Sequence, residues 1–177
     1  MKALILLNDE FGDIEAFTTI DILRRSGVEV VTAGLISTVV ESARKVKTIA
    51  NKRLSEVSAN DFDVLILPSG PGYKRLVHSQ VVLNLVRDFN KRGKYIASIS
   101  AATCILAKAG VINERLAAVF PGFEKDIPRP RDAKVIVDRN IVTARAPGNA
   151  IDFGLKLVEI LVGKRAIKRL KESLVIE

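Results

Sequence analysis

Short, unbroken apolar runs that stop at small or turn-forming residues constrain this chain more than any other feature. Residues 3–7 (ALILL), 64–67 (VLIL), 95–99 (YIASI) and 141–144 (IVTA) hold almost no polar side chain. Such runs suit strands covered on both faces, and hence a largely parallel sheet with helices above and below. Between them lie longer stretches in which apolar residues return every three or four positions. The alternation predicts an α/β architecture.

The pattern places a helix over 13–25, with Ile14, Phe17, Ile20 and Leu23 facing the core and Gly27 just past its end. A strand follows at 28–33, and residues 39–50 read as a small hairpin or an irregular excursion. Ser79 can cap a helix running to about residue 92, with Val82, Leu85, Val86 and Phe89 inward. A helix over 101–109 closes at Gly110, and 117–120 reads as a short strand. Residues 134–137 and 141–144 pair around Asp138, Arg139 and Asn140. Asn149 caps a helix over 151–161, and 164–173 is the last helix.

The length of 177 residues fits one domain. With 48% hydrophobic and 27% charged residues, the chain can bury a core and is not disordered. It has no Trp, so that core is aliphatic. A net charge of +8 suits a polyanionic partner or simply a soluble surface. The basic residues are scattered, and their densest cluster, 164–171, reads as the polar face of a helix without aromatics to stack on bases. Nucleic acid is therefore not an expected partner. A single cysteine, Cys104, excludes an internal disulfide, and a single histidine, His78, leaves no usual zinc motif. The apolar stretch at the N-terminus is too short for a signal peptide or a membrane span, so the cytoplasm is the default and no membrane partner is expected. Abundant Lys, Arg and Glu with few Cys and Met is compatible with a thermophilic source.

In open α/β sheets ligands bind beyond the carboxyl ends of the strands. Glu15 follows the first strand, Pro68-Ser69-Gly70-Pro71-Gly72 the third, Ser100 the 95–99 run, and Arg145 the 141–144 run. A carboxylate, a glycine turn, a hydroxyl and a guanidinium thus share one edge. Ser100 sits between an apolar strand and a helix beginning at Ala101. That junction forces a sharp turn which lifts the side chain into the crevice. The backbone N–H groups at the helix start, with that of Gly70, could hold an oxyanion. Ser100 also reads as a plain helix N-cap.

The segments IEAFTTIDILRRSGVEV, VLILPSGPG, IASISAATCILAKAGVI, FPGFE and VTARAPGNAIDFGLKLVEIL resemble successive blocks of the DJ-1/ThiJ/PfpI superfamily, in its order and over essentially the whole chain. The resemblance implies a flavodoxin-like three-layer sandwich related to class I glutamine amidotransferases. It also implies a homodimer or higher homo-oligomer, and no cofactor or metal. By the same resemblance, Ser100 occupies the place of the nucleophilic cysteine and Glu15 that of its acidic partner. Gly70 and Ala101 fall in the oxyanion region, and Arg145 matches the family's arginine. Two departures stand out: Ala101 replaces the histidine that follows the nucleophile in the protease-like branch, and Phe120 stands where another branch has a histidine.

The implied chemistry is action on small carbonyl compounds, of glyoxalase or deglycase type, or on C–N bonds, of amidase or protease type. Serine weakens either, because its hydroxyl is far less acidic than a thiol and needs a general base. Cys104, one helical turn on, is either a displaced thiol beside the crevice or a small core residue. The alternative to an enzyme is a non-catalytic relative that keeps the crevice for binding, with a stress-response or chaperone-like role.

Overall fold

The computed structural model describes residues 1–176. Among the described residues nine strands form, in chain order: β1 (Lys2–Leu7), β2 (Glu29–Gly34), β3 (Val39–Glu41), β4 (Lys47–Ile49), β5 (Lys52–Arg53), β6 (Val64–Leu67), β7 (Tyr95–Ile99), β8 (Val135–Asp138) and β9 (Ile141–Ala144). The helices are α1 (Asp13–Arg25), α2 (Tyr73–His78), α3 (Gln80–Lys91), α4 (Thr103–Ala109), α5 (Ala150–Leu161) and α6 (Lys164–Leu174). Seven strands make one sheet in the order β5-β2-β1-β6-β7-β9-β8, parallel except for the antiparallel β8–β9 pair. The expected α/β sandwich with a mostly parallel sheet is the fold observed.

Side-chain alternation along each strand divides the core in two. Ala3, Ile5 and Leu7 of β1 and Val64 and Ile66 of β6 face one side, where Phe153, Leu157 and Leu23 of α5 and α1 cover them. Leu4, Leu6, Leu65 and Leu67 face the other side, against Leu76, Val86, Phe89 and Leu106 from α2, α3 and α4. At Gly154, α5 lies so close to α1 that an added Cβ would stand 2.9 Å from Ile22 Cδ1.

The boundaries follow local signals. Ser79 Oγ accepts from the Val82 N–H at the start of α3, and Gly110 closes α4 in the left-handed conformation at φ 77°. The 39–50 excursion is the antiparallel β3–β4 hairpin. Three expectations need correction. Residues 117–120 form no strand beyond a single bridge from Ala117 to Pro130. Asn149 stands at the N-cap of α5 without a side-chain cap bond, after a 3-10 turn over Pro147–Asn149. Ile14 is 60% exposed and does not face the core.

The chain leaves β1 toward β2 on one side and later returns to lay β6 on the other. This reversal beside β1 opens a crevice at the carboxyl ends of β1 and β6, the position expected of a ligand site.

Candidate active site

β7 runs straight into a sharp elbow. Ser100 takes φ 63°, in the left-handed region that a side chain seldom occupies. Such a conformation costs on the order of 1–3 kcal/mol and persists only where the surroundings hold it. The chain then makes a 3-10 turn over Ser100–Ala102 before α4 begins at Thr103, slightly later than the helix expected from residue 101. Beneath the elbow a buried polar chain fixes the geometry. Thr103 Oγ1 donates to Ala118 O at 3.0 Å and lies 3.0 Å from Ser98 Oγ. Thr103 has one hydroxyl hydrogen, already given to Ala118, so Ser98 is the donor of that pair. The Ala118 N–H in turn donates to Thr143 Oγ1 at 2.8 Å. These hydroxyls take both backbone groups of Ala118, which a strand neighbour would otherwise bond.

Glu15 lies in the first turn of α1 and is only 2% exposed. Gly12 precedes it because a Cβ there would stand 1.7 Å from Glu15 Oε2. Burial pushes the carboxyl up to about 7 from its ordinary 4.5, while the Ser100 hydroxyl and the Ser69 backbone N–H pull it the other way. Those two groups thus sit close enough to favour the ionised form, yet Oε1 is buried with no fully formed hydrogen bond among the described residues. Near neutrality the carboxyl divides between a proton donor and a proton acceptor, as an acid–base group should.

Gly70 completes the floor. Its φ is 96°, and a Cβ would lie 2.4 Å from Glu10 O and from Gly12 N. Only glycine permits this approach between the turn after β6 and the loop after β1. The Gly12 N–H donates to Ser69 O at 2.8 Å and the Tyr73 N–H to Gly70 O at 3.0 Å. Asn8 Nδ2 donates to Gly72 O at 2.9 Å and so locks the same two loops together.

Glu15, Gly70, Ser100 and Ala101 therefore share one cleft of about 440 Å³. Its remaining walls include residues that the sequence reading did not single out as site residues. Tyr73, Phe120 and Phe123 line one side. Rarity was the available signal: the chain has 7 Phe, 2 Tyr and no Trp, so three rings in one cleft are a concentration. Ala43 and Arg44, from the turn of the β3–β4 hairpin, line the same cleft. Asp13 tethers that turn, accepting from Ser42 Oγ at 2.5 Å and from the Arg44 N–H at 3.2 Å. No local pattern announces Arg44, because the tether joins residues far apart in sequence.

Two expected site residues stand elsewhere. Arg145 does not line the cleft. Its guanidinium pairs with Asp132 at 2.8 Å, in a separate pocket with Val119 and Glu124. Cys104 is no displaced thiol in the cleft either. It packs half-buried against the core and lines a neighbouring pocket with Val77 and Ala107. Burial there pushes its thiol up to about 11, which keeps it protonated and unreactive. His78 is exposed at the end of α2 and outside the cleft. No cluster of His, Cys, Asp or Glu suited to a metal occurs among the described residues, and no described helix is long and apolar enough to cross a membrane.

Comparison with known proteins places the fold and the family. The fold matches the crystal structure of Drosophila melanogaster DJ-1beta with a TM-score of 0.94 at 33% identity, over 99% of this chain and 98% of that one. The sequence is 31% identical to a glutathione-independent glyoxalase of Caenorhabditis elegans, over 98% of this chain and 95% of the relative. It is 30% identical to a deglycase of Pyrococcus abyssi, over 91% of this chain and 99% of the relative. With residues 1–160 matching the family's own profile, the chain belongs to the DJ-1/PfpI family.

Proposed function

We propose that this protein acts on small reactive carbonyl compounds, in the manner of a glyoxalase or deglycase, with Ser100 as nucleophile and Glu15 as acid–base group. The observation that carries the reading is the buried Glu15 carboxyl in one cleft with a serine on a strained elbow; burial pushes that carboxyl up to about 7. The names of the relatives favour carbonyl chemistry over C–N bond cleavage.

For a 2-oxo aldehyde, Ser100 Oγ adds to the aldehyde carbon while its proton passes to the Glu15 carboxylate. The N–H groups of Gly70 and Ala101 are the candidates to hold the oxygen that gains charge. Glu15 then passes the Ser100 proton to the new alkoxide, which frees its carboxylate. The hydrogen on the former aldehyde carbon leaves as a proton to Glu15 and returns to the adjacent carbon, while the hydroxyl proton moves to the neighbouring oxygen. This leaves an ester on Ser100, which water cleaves to a 2-hydroxy acid. One carbon is oxidised and its neighbour reduced, so R–CO–CHO plus H₂O gives R–CHOH–COOH with no external oxidant.

A second reading, a binding relative that does not turn over, is favoured by one observation. No histidine or other strong base reaches Ser100, whose hydroxyl must rely on a carboxylate alone. Lactate formation from methylglyoxal decides between them. Slow turnover is expected in the wild type, with a fall of about 10²–10⁴-fold in Ser100→Ala and in Glu15→Gln, and a gain in Ser100→Cys. Turnover that appears only in Ser100→Cys would establish the binding reading. Turnover unchanged by Ser100→Ala would remove the elbow from the chemistry.

A further inference from the structure

The three rings in the cleft form a continuous edge-to-face wall. Tyr73 and Phe123 have centroids 5.8 Å apart at 83°, and Phe120 and Phe123 6.3 Å apart at 71°. Phe120 is 39% exposed and Ile14, which lines the same cleft, is 60% exposed. Both leave apolar surface uncovered. Glu15 Oε1 is buried with no fully formed hydrogen bond among the described residues. On the hairpin, Arg44 is exposed and its guanidinium has no ion pair among the described residues. A cleft of about 440 Å³ lies in the size range of sites that enclose ligands of many atoms. A two-carbon dialdehyde would leave the ring wall in water.

We propose that the cleft selects carbonyl substrates bearing an aromatic substituent beside the reacting carbon. The ring would lie against Phe120 and Phe123, the oxygen functions and the carboxylate that forms would stay at Ser100 and Glu15, and the Arg44 guanidinium in the same cleft would add the positive potential that favours an acid. The inference rests on the carbonyl-processing reading and names its substrate class: aryl 2-oxo aldehydes, leading to aryl 2-hydroxy acids. The physical cause is burial of a flat apolar group, reinforced by the preferred offset and edge-to-face geometries of aromatic pairs.

Binding of the two product acids tests it apart from turnover. Mandelate and lactate share a carboxylate and a hydroxyl, and differ only in phenyl against methyl. Titration of ¹⁵N-labelled protein, followed at Gly70, Ala101 and Phe120, gives both affinities. Mandelate is expected to bind about tenfold or more tightly. Phe120→Ser, a change at a partly exposed position, should cut that ratio at least threefold, by an order-of-magnitude estimate from the ring area lost. Arg44→Gln should weaken both acids together and leave the ratio intact. Equal affinities, no mandelate binding at millimolar concentration, or a ratio indifferent to Phe120→Ser in a folded variant would each overturn the proposal. Selective mandelate binding without turnover of any 2-oxo aldehyde would leave the selectivity standing and sink the catalytic reading alone.

Discussion

Two side chains, Glu15 and Ser100, hold conformations or environments that a free chain would avoid. For Glu15 the cost is desolvation of its charged form. Its folded value of about 7 lies above the ordinary 4.5, so between those values the folded state holds more proton than the unfolded state. Stability therefore falls as pH rises from about 4.5 to about 7 and levels off above. The full difference is about 3 kcal/mol. Glu15→Gln should flatten this slope in urea unfolding measured from pH 4.5 to 8; an identical slope in the variant would mean that the carboxyl is better solvated than its burial implies. If Glu15 acts as base, the wild-type rate should also climb through about pH 7. For Ser100 the cost is backbone strain at φ 63°. Ser100→Gly should keep or raise the melting temperature, because glycine enters this region freely. Ser100→Val should lower stability by about 1–3 kcal/mol, from crowding and from a β-branched side chain at positive φ. Equal melting temperatures for the two variants would show that the elbow stores no strain.

Elements are where the physics of the sequence was most readable, and where its limit shows. The α1 boundaries, Asp13–Arg25, follow from apolar spacing and the glycine beyond. β6 and β7 follow from unbroken apolar runs. Glu15, Gly70 and Ser100 were legible as site residues because each follows a strand at the same sheet edge. What was not legible depends on partners distant in sequence. The 117–120 segment has a strand's composition, but the Thr103 and Thr143 hydroxyls take the backbone bonds of Ala118 at its centre. Arg145 follows β9 as expected, yet Asp132 captures it. The short α2 carries too few turns for a period to register, so Tyr73 went unnoticed. The buried hydroxyl chain itself is open to test. Thr103→Val keeps the shape but strands the Ala118 carbonyl and the Ser98 hydroxyl. A loss of about 1–3 kcal/mol is expected in denaturant unfolding, with displaced resonances at Phe120; a neutral substitution would mean that the chain is incidental to the elbow.

At the scale of the whole molecule, the sheet separates two apolar layers, and one face retains a further apolar groove. Phe17 and Ile22 of α1, Ile151 of α5, and Leu174 and Ile176 near the C-terminus line it, with Ile151 partly exposed. A homodimer, implied by the family, would have this groove available for its contact. Light scattering at micromolar concentration should give twice the chain mass, and Ile151→Glu should shift the population toward one chain. A monomeric wild type would refute the expectation. The hairpin that carries Arg44 has a different consequence. It hangs from Asp13 and from main-chain bonds, such as the Ala43 N–H to Phe11 O at 2.9 Å, and not from Glu15 or Ser100. The charge at the opening and the reacting pair are thus held by separable contacts. A new collar could be grafted at the hairpin, changing that charge while the ring wall and the reacting pair keep their geometry.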